Sequence, residues 1–184
     1  INAGTGNVAL PNVPNQFGQA VSLQANDVLL VGSNGLILGN STVAGNMSVT
    51  AATGNVTQTP TGVVNVSGTS TFTATQGDVV LGNANTFVQP VALNTVNATL
   101  NSTTALTLGT STVRGDLQAT AATGDITQTG AITVTGTSDL TATTGNITLT
   151  EAANSFGARV SVDTPQALKL EASGALSMGE VNVG

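Results

Sequence analysis

The chain has no cysteine and no histidine, and this removes several kinds of site at once. Without cysteine there is no disulfide framework and no thiolate ligand for a metal ion. Without histidine, the many serine and threonine hydroxyls have no conventional general base beside them. We therefore expect the chain to have no catalytic residue, no metal ligand and no cofactor-binding residue, and not to be an enzyme.

Positive charge and long apolar runs are also scarce. The 184 residues include three basic ones, Arg114, Arg159 and Lys169, and the net charge is −6. So few cations cannot neutralise the phosphates of a nucleic acid over a useful footprint, which excludes nucleic acid as a partner. The longest apolar run, at 28–31, is far below the roughly 20 residues of a membrane-spanning helix. No membrane-spanning segment is expected.

Residues typical of strands and turns are abundant. The chain contains 32 threonines, 18 asparagines and 22 glycines, and 40% of its residues are hydrophobic. Threonine and valine favour strands, whereas glycine and asparagine favour the turns between them. Apolar and polar residues alternate over three to five positions, for example at 64–66, 106–108 and 147–149, which is a strand signal. No stretch has helical periodicity, so the pattern predicts an all-β fold of many short strands.

A repeat of about 70 residues organises these strands. Residues 35–59 align with 105–129 at an offset of 70, and residues 61–81 align with 129–149 at an offset of 68. The nonamer AATGNVTQT at 51–59 therefore returns as AATGDITQT at 121–129. Residues 1–184 form a single array of about 2.6 copies.

Short strands repeated between turns, without helices, predict a parallel β-solenoid. We expect a right-handed β-helix with three short strands per coil, because parallel crossovers are generally right-handed. A coil of about 23 residues would place three coils in each repeat and about eight coils in the chain. The repeated nonamer is then architectural: Gly54 and Gly124 form the same corner of different coils, and Val56 and Ile126 enter the core.

The alternation within each strand also predicts which side chains point into the solenoid. Gln58 and Gln128 follow two residues after inward positions, so their amides should point inward too and find hydrogen-bond partners there. The predicted apolar interior consists of Val8, Leu10, Val21, Leu23, Leu36, Leu38, Val56, Val64, Val66, Phe72, Val79, Leu81, Val91, Leu93, Leu106, Leu108, Ile126, Ile132, Val134, Leu140, Ile147, Leu149, Val160 and Val162.

The strings TGDITQTGAITVTGTSDLTATTGNITL (123–149) and ALTLGTSTVRGDL (105–117) resemble the repeat region of filamentous haemagglutinin-like exoproteins. These are large adhesins that Gram-negative bacteria export by two-partner secretion, and the resemblance covers essentially the whole chain. It implies a right-handed β-helical shaft, displayed outside the cell, that holds a binding tip away from the surface. The partners of such a shaft would be neighbouring repeats, or chains stacked end to end, and glycans or proteins of a host or neighbouring cell.

Acidic residues are the candidates for carboxylate catalysis, since a β-helix can be a polysaccharide hydrolase or lyase. The repeat copies argue against this role, because an acid in one copy often corresponds to a residue that cannot exchange a proton. We interpret these acids as turn residues, a role in which asparagine replaces aspartate easily. The pairs are Asp116 with Asn46, Asp125 with Asn55, Asp78 with Asn146, and Asp139 with Thr71; Asp27, Glu151, Asp163, Glu171 and Glu180 have no good counterpart and are dispersed.

Two alternatives to a shaft come from other classes of protein. One is a carbohydrate-active β-helix enzyme. The other is a solenoid subunit that polymerises into an extracellular filament, because neither terminus carries a recognisable cap for an open strand edge. We expect the chain to be a fragment of a longer solenoid or to stack end to end with other copies.

Three other motifs have simpler interpretations. Outward T-x-T pairs could order water in an ice-like lattice, but Asn65 and Val80 interrupt them, and threonine is a good exposed strand former. The glycine-rich nonapeptide of calcium-binding solenoids is absent. The glycosylation triplet N-x-S/T arises where a turn asparagine precedes a strand; it occurs at Asn40, Asn46, Asn55, Asn65, Asn97, Asn101 and Asn146.

Overall fold

The computed structural model describes residues 1–184 and contains 22 β-strands and no helix. The strands are β1 (Val8–Leu10), β2 (Val21–Ala25), β3 (Val28–Gly32), β4 (Leu36–Val43), β5 (Met47–Ala51), β6 (Val56–Gln58), β7 (Val64–Val66), β8 (Ser70–Ala74), β9 (Val79–Phe87), β10 (Val91–Thr95), β11 (Ala98–Ser102), β12 (Leu106–Leu108), β13 (Ser111–Val113), β14 (Leu117–Ala121), β15 (Ile126–Gln128), β16 (Ile132–Val134), β17 (Ser138–Ala142), β18 (Ile147–Leu149), β19 (Ser155–Phe156), β20 (Arg159–Thr164), β21 (Leu168–Leu170) and β22 (Ser177–Val183).

These strands form two parallel sheets, and the chain passes from one sheet to the other and back in every coil. One sheet has 12 strands, with the path β1-β3-β5-β8-β10-β12-β15-β18-β21 and with β13, β16 and β19 beside it. The other has 10 strands, with the path β2-β4-β6-β9-β11-β14-β17-β20-β22 and with β7 beside it. Each path visits nine strands, so the chain is an all-β parallel solenoid of about nine coils.

The predicted number of eight coils is too low because a coil is shorter than expected. Val8 pairs with Val28, Val28 with Met47, and Met47 with Ser70. Successive coils are therefore about 20 residues apart, and a repeat of about 70 residues contains three and a half coils. Three and a half coils end on the opposite side of the solenoid from where they began.

Equivalent strands of successive repeats consequently lie in different sheets. Strand β5 belongs to the 12-stranded sheet, and its counterpart 70 residues later, β14, belongs to the 10-stranded sheet. The same exchange relates β4 to β12 and β13, and β8 to β17. Successive repeats are thus related by about half a turn around the solenoid axis, and each outer face displays a different copy of the same repeat segment.

In many coils the chain crosses one sheet as a single short strand, which we call the narrow crossing. It crosses the other sheet as one long strand or as two consecutive strands, which we call the wide crossing. Strand β5 crosses its sheet as five residues, whereas β4 is eight residues long. The first part of β4, from Leu36, pairs with β6, and its second part, from Ser41, pairs with β7. The wide crossing changes sheets from one repeat to the next, as the half-turn requires.

The interior is one continuous cluster of 40 buried apolar residues that runs through the stacked coils. Inward residues of the strands alternate with exposed ones, as in Val21–Ala25 and Ser70–Ala74. Phe72 and Phe87 meet edge to face, with ring centroids 6.1 Å apart. Burial of this cluster is the main favourable contribution to folding, since no disulfide or ion pair links the coils.

The predicted interior is confirmed at every position except Leu10. Leu10 is half-buried because β1 is the first strand of its sheet and has β3 as its one neighbour. The alternation also continues through inward residues that were not predicted, among them Leu30, Met47 and Leu100. Several of these flank small inward residues such as Ala51 and Ala98, which weaken the apolar signal in the sequence.

Candidate functional site

The most regular polar feature of the solenoid is a row of side-chain hydrogen bonds along one corner. The backbone N–H of Asp78 donates to Asn55 Oδ1 (2.9 Å), and that of Asn97 donates to Asp78 Oδ1 (3.0 Å). The N–H of Asp116 then donates to Asn97 Oδ1 (2.9 Å), and that of Thr137 donates to Asp116 Oδ1 (2.7 Å). We call this row the corner ladder; it joins five successive coils by their turns.

The neighbouring repeats contain parts of the same ladder. One of them begins after Gly124, whose φ is 83°, as the corner ladder begins after Gly54, whose φ is 78°; other residues adopt this conformation with strain. The corner ladder ends at Thr137 and one partial ladder ends at Thr69, whereas the other ends at Ala167, because none of these side chains continues as an acceptor. The two partial ladders run through Asn7, Asp27, Asn46 and Thr69, and through Asp125, Asn146 and Ala167.

Aspartate and asparagine alternate along every ladder. Asn97 Nδ2 donates to Asp78 Oδ1 (2.9 Å), and Asn146 Nδ2 donates to Asp125 Oδ1 (3.1 Å). Each carboxylate is thus separated from the next by a neutral amide, so that two negative charges are never one coil spacing of about 4.8 Å apart. The alternation provides a strong acceptor at each corner and avoids repulsion between adjacent charges.

Replacing Asn97 by aspartate would place three carboxylates on consecutive coils. We expect Asn97→Asp to lower the melting temperature at low ionic strength, because the new charge faces Asp78 and Asp116 and loses an amide donor. High salt should restore much of the loss by screening. The matched control is Asn65→Asp, which adds the same charge between uncharged Thr42 and Thr86. Equal loss in both variants would contradict the charge argument.

Asp116 has its pKa lowered below 3.8, first by the backbone N–H of Thr137 and then by the Thr137 hydroxyl, against a smaller opposing effect of desolvation. Because the folded pKa lies below the unfolded one, the contribution to stability is complete above about pH 3.8 and is lost as the pH falls through the folded value. We expect the melting temperature of Asp116→Asn to fall less than that of the parent between pH 4 and pH 2. Circular dichroism measures the melting temperature at each pH. An unchanged pH profile would contradict this role.

The structure confirms the turn role for Asp78, Asp116 and Asp125, and adds Asp27, which sequence alignment left without a counterpart. The interpretation is wrong for Asp139, which lies on the exposed face of β17 rather than at a turn. A strand residue and a turn residue have the same local spacing in such short elements. No three acidic residues come together in a group that could hold a metal ion.

Inside the wide crossing, each repeat contains a hydrogen-bonded pair of amide side chains, a buried asparagine and a half-buried glutamine. Gln58 Nε2 donates to Asn85 Oδ1, and Asn85 Nδ2 donates back to Gln58 Oε1 (3.2 Å). In the next repeat Gln128 Nε2 donates to Asn154 Oδ1 (2.8 Å), and Asn154 Nδ2 donates to Gln128 Oε1 (2.9 Å). The prediction that both glutamines point inward and are hydrogen-bonded is confirmed.

The side-chain oxygen of the asparagine in each pair also accepts a hydrogen bond from a backbone N–H group. Asn85 Oδ1 accepts from the Val64 N–H (2.9 Å), and Asn154 Oδ1 accepts from the Ile132 N–H (2.9 Å). Both asparagines are completely buried. Sequence reasoning missed them, although an N-x-F triplet marks the position in all three copies, at 15–17, 85–87 and 154–156.

The asparagines of the seven N-x-S/T triplets mostly hold corners. Four of them belong to the ladders, and Asn40 Oδ1 accepts from the Val63 N–H (3.0 Å). Asn101 Nδ2 donates to the Gly82 carbonyl (3.3 Å), and Asn65 is exposed on β7. A surface depression of about 500 Å³ lies open at the last coils and contains one acidic side chain, Asp163. Asp139, Asp163 and Glu180 line a second depression of about 210 Å³ next to it, but they do not form a group that could hold a metal ion.

Comparison with protein families assigns the repeat. Residues 25–94 and 95–163 each match a family described as repeats of unknown function, DUF5649. The chain belongs to the DUF5649 repeat family. No curated protein and no solved structure is similar to the chain at a significant level. No helix in the structure is long and apolar enough to cross a membrane.

The two DUF5649 copies contain the same structural features. Each copy contains one glycine of positive φ followed by the first ladder residue, Asn55 or Asp125. Each also contains one amide pair, Gln58 with Asn85 or Gln128 with Asn154. All of these side chains connect one coil to another, so the polar residues that recur in the repeat serve the stacking of coils.

Proposed function

We propose that this chain is a non-catalytic shaft segment of a bacterial cell-surface adhesin or extracellular fibre. The proposal is supported by the recurring polar side chains of the DUF5649 repeat. In the corner ladder and the amide pairs they form hydrogen bonds from one coil to another. A shaft needs a continuous core, and the corner of each coil must be able to stack on the corner of the next coil. This chain has both in each repeat.

The proposal includes the absence of catalysis. Three of the acids that could act as general acid or base accept hydrogen bonds from backbone N–H groups at corners, and their repeat counterparts are asparagines. Incubation of the protein with a panel of polysaccharides should release no reducing ends and no unsaturated products. Turnover that is lost in Asp139→Asn or Asp163→Asn variants would overturn the proposal and favour the carbohydrate-active enzyme.

We further propose that the coils wind to the right and that a coil consists of three straight segments. The preference of parallel crossovers for right-handed connections supports the first part. The division of the wide crossing into two strands, as in β6 and β7 beside the narrow β8, supports the second. An experimental structure at high resolution tests both.

The proposed location is outside the bacterial cell, as in the filamentous haemagglutinin-like exoproteins that the sequence resembles. A stiff rod of stacked coils suits a position between a cell surface and a binding tip. Its partners there would be further repeats, stacked above and below, and glycans or proteins of another cell. Protease shaving of intact producing cells, followed by mass spectrometry, should release peptides of this chain; their absence would contradict the location.

Insertion of one extra DUF5649 copy after residue 94 tests the shaft directly. Three and a half added coils should lengthen the rod by about 17 Å, at about 4.8 Å per coil. The measurement is the maximum dimension from small-angle X-ray scattering. Insertion of an unrelated domain of 70 residues at the same point is the control for added mass. An increase in thickness instead of length would contradict a continuous solenoid.

A further inference from the structure

We propose that the outer surface of the 12-stranded sheet binds a neutral, linear polysaccharide. The centre of this surface is a column of six uncharged polar residues on consecutive coils, each directly paired with the next. Beside it lie two shorter rows of similar residues. The column is Thr50, Thr73, Asn94, Thr112, Thr133 and Ser155, and the rows are Ser48, Thr71 and Ala92, and Thr107, Thr127 and Thr148; we call these twelve residues the hydroxyl face.

The hydroxyl face is continuous, and none of its twelve residues is charged, although the Arg114 guanidinium donates a hydrogen bond to Asn94 Oδ1 (2.8 Å). It is bounded on one side by apolar Leu29 and Val31, which pair with Ser48 and Thr50, and on the other by Lys169, which pairs with Thr148. Ten of its twelve residues carry a hydroxyl, and a hydroxyl can both donate and accept a hydrogen bond. The surface therefore matches a partner that is itself uncharged and rich in hydroxyls.

The other outer face of the same solenoid differs, although the half-turn between repeats would make the two faces alike if the copies were identical. Thr71 on the hydroxyl face corresponds to Asp139 on the 10-stranded sheet, and Asn94 corresponds to Asp163. At both positions the carboxylate is on the 10-stranded sheet. The repeats have diverged, and none of the twelve residues of the hydroxyl face is a carboxylate.

Apolar residues follow the same division. Thr107 and Thr148 on the hydroxyl face correspond to Ile37 and Val80 on the 10-stranded sheet, whose side chains are 44% and 40% exposed. The Val80 interruption of the threonine rows noted in the sequence thus lies on the other sheet, as does Asn65, the counterpart of Thr133. Within the twelve positions, no large apolar side chain occurs on the hydroxyl face.

The size of the hydroxyl face favours a polysaccharide chain over a protein. Six coils span about 24 Å, and the face is roughly 10 Å across, so its area is a few hundred Å² at most. A stable protein interface needs roughly 800 Å² from each partner. A linear glycan is narrow enough to lie along the column and make a hydrogen bond at each coil. With no aromatic residue among the twelve, binding would depend on these hydrogen bonds alone.

The spacing of the rows argues against ice as the partner. Neighbouring outward residues are two positions apart in β5 and β8. In contrast, Thr107 and Thr112 are five positions apart, and Thr127 and Thr133 are six positions apart. A rigid crystal lattice requires the same spacing on every coil. A flexible polymer with hydroxyls on both edges does not. This proposal goes beyond the shaft function and does not depend on it.

The test compares two triple variants that change the same repeat positions on opposite faces. Thr50→Val/Thr73→Val/Thr112→Val removes three hydroxyls from the hydroxyl face, and Thr120→Val/Thr141→Val/Thr42→Val removes their counterparts from the 10-stranded sheet. Valine keeps the shape and strand preference of threonine, and neither triple alters the net charge. None of the six hydroxyls has a partner within the protein, so both variants should melt like the parent.

Native electrophoresis through gels that contain hydroxyethylcellulose measures the binding. We expect the parent and the 10-stranded-sheet triple to be retarded, and the hydroxyl-face triple to have its dissociation constant raised by at least about tenfold, since three hydrogen bonds are removed. Retardation should persist at high salt. No retardation of the parent, equal loss in both triples, or inhibition of ice recrystallisation without retardation would each overturn the proposal. None of these results would bear on the length measurement that tests the shaft.

Discussion

Gly77→Ala and Gly145→Ala are each expected to lower the free energy of unfolding by about 3 kcal/mol or more. Gly77 is buried and lies directly above Gly54, and a methyl group on it would overlap the Gly54 carbonyl. Gly145 lies above Gly124 in the same way. The coils cannot separate to make room, because the strands on both sides of the corner are fixed by their hydrogen bonds. Chemical denaturation followed by circular dichroism measures the loss.

Gly82→Ala is the control for these corner variants. Gly82 lies in β9 and is exposed, and a methyl group there would approach Thr99 at an ordinary distance of 3.6 Å. We expect its effect to be within about 0.5 kcal/mol of zero. If Gly77→Ala were as mild as Gly82→Ala, the corner would have to be able to widen, and the close stacking of the two glycines would not be required.

Asn85→Ala and Asn154→Ala should cost about 4 kcal/mol each, because several buried polar groups would lose their partners together. In Asn85→Ala the Val64 N–H would lose its acceptor, the Leu81 carbonyl would lose a donor, and the Gln58 amide would keep only its weaker bonds to Gly62 and Asn83. In Asn154→Ala the Ile132 N–H would lose its acceptor, and the Gln128 amide would keep only its bond to the Gly130 carbonyl. Exposed Asn65→Ala is the matched control, and its cost should be small.

A double-mutant cycle separates the amide pair from other effects of the truncation. Gln58→Ala in the parent removes the partner of Asn85, but Gln58→Ala in an Asn85→Ala background removes an amide that has already lost its bonds to Asn85. The second change should therefore cost less than the first, with a coupling energy of about 1 kcal/mol or more. Additive losses would show that the two amides do not act as a pair.

The interior was predictable because it depends on local spacing. Val64, Val66 and Leu108 alternate with polar residues, and a strand of this kind has one possible way to bury its apolar side. Leu10 departs from the prediction because its burial depends on how many coils lie beside it, which its own neighbours in the sequence do not report.

The number of coils was harder to predict, because it also depends on which strands pair in neighbouring coils. Spacing within the sequence does not say whether β6 and β7 belong to one crossing or to two, and that choice changes the coil length. Pairing of β4 with both strands decides it. The exposed position of Asp139 and the ladder position of Asp27 likewise depend on which coil lies next to each residue.

The amino-acid sequence by itself determined the all-β class, the repeat of about 70 residues and the inward positions, since composition, self-similarity and alternation are properties of neighbouring residues. Only the tertiary structure decided that a repeat makes three and a half coils, that Asn85 and Asn154 are buried and pair with Gln58 and Gln128, and that the two outer faces differ. Those features arise from contacts between residues about 20 positions or more apart, and such contacts exist once the coils have stacked.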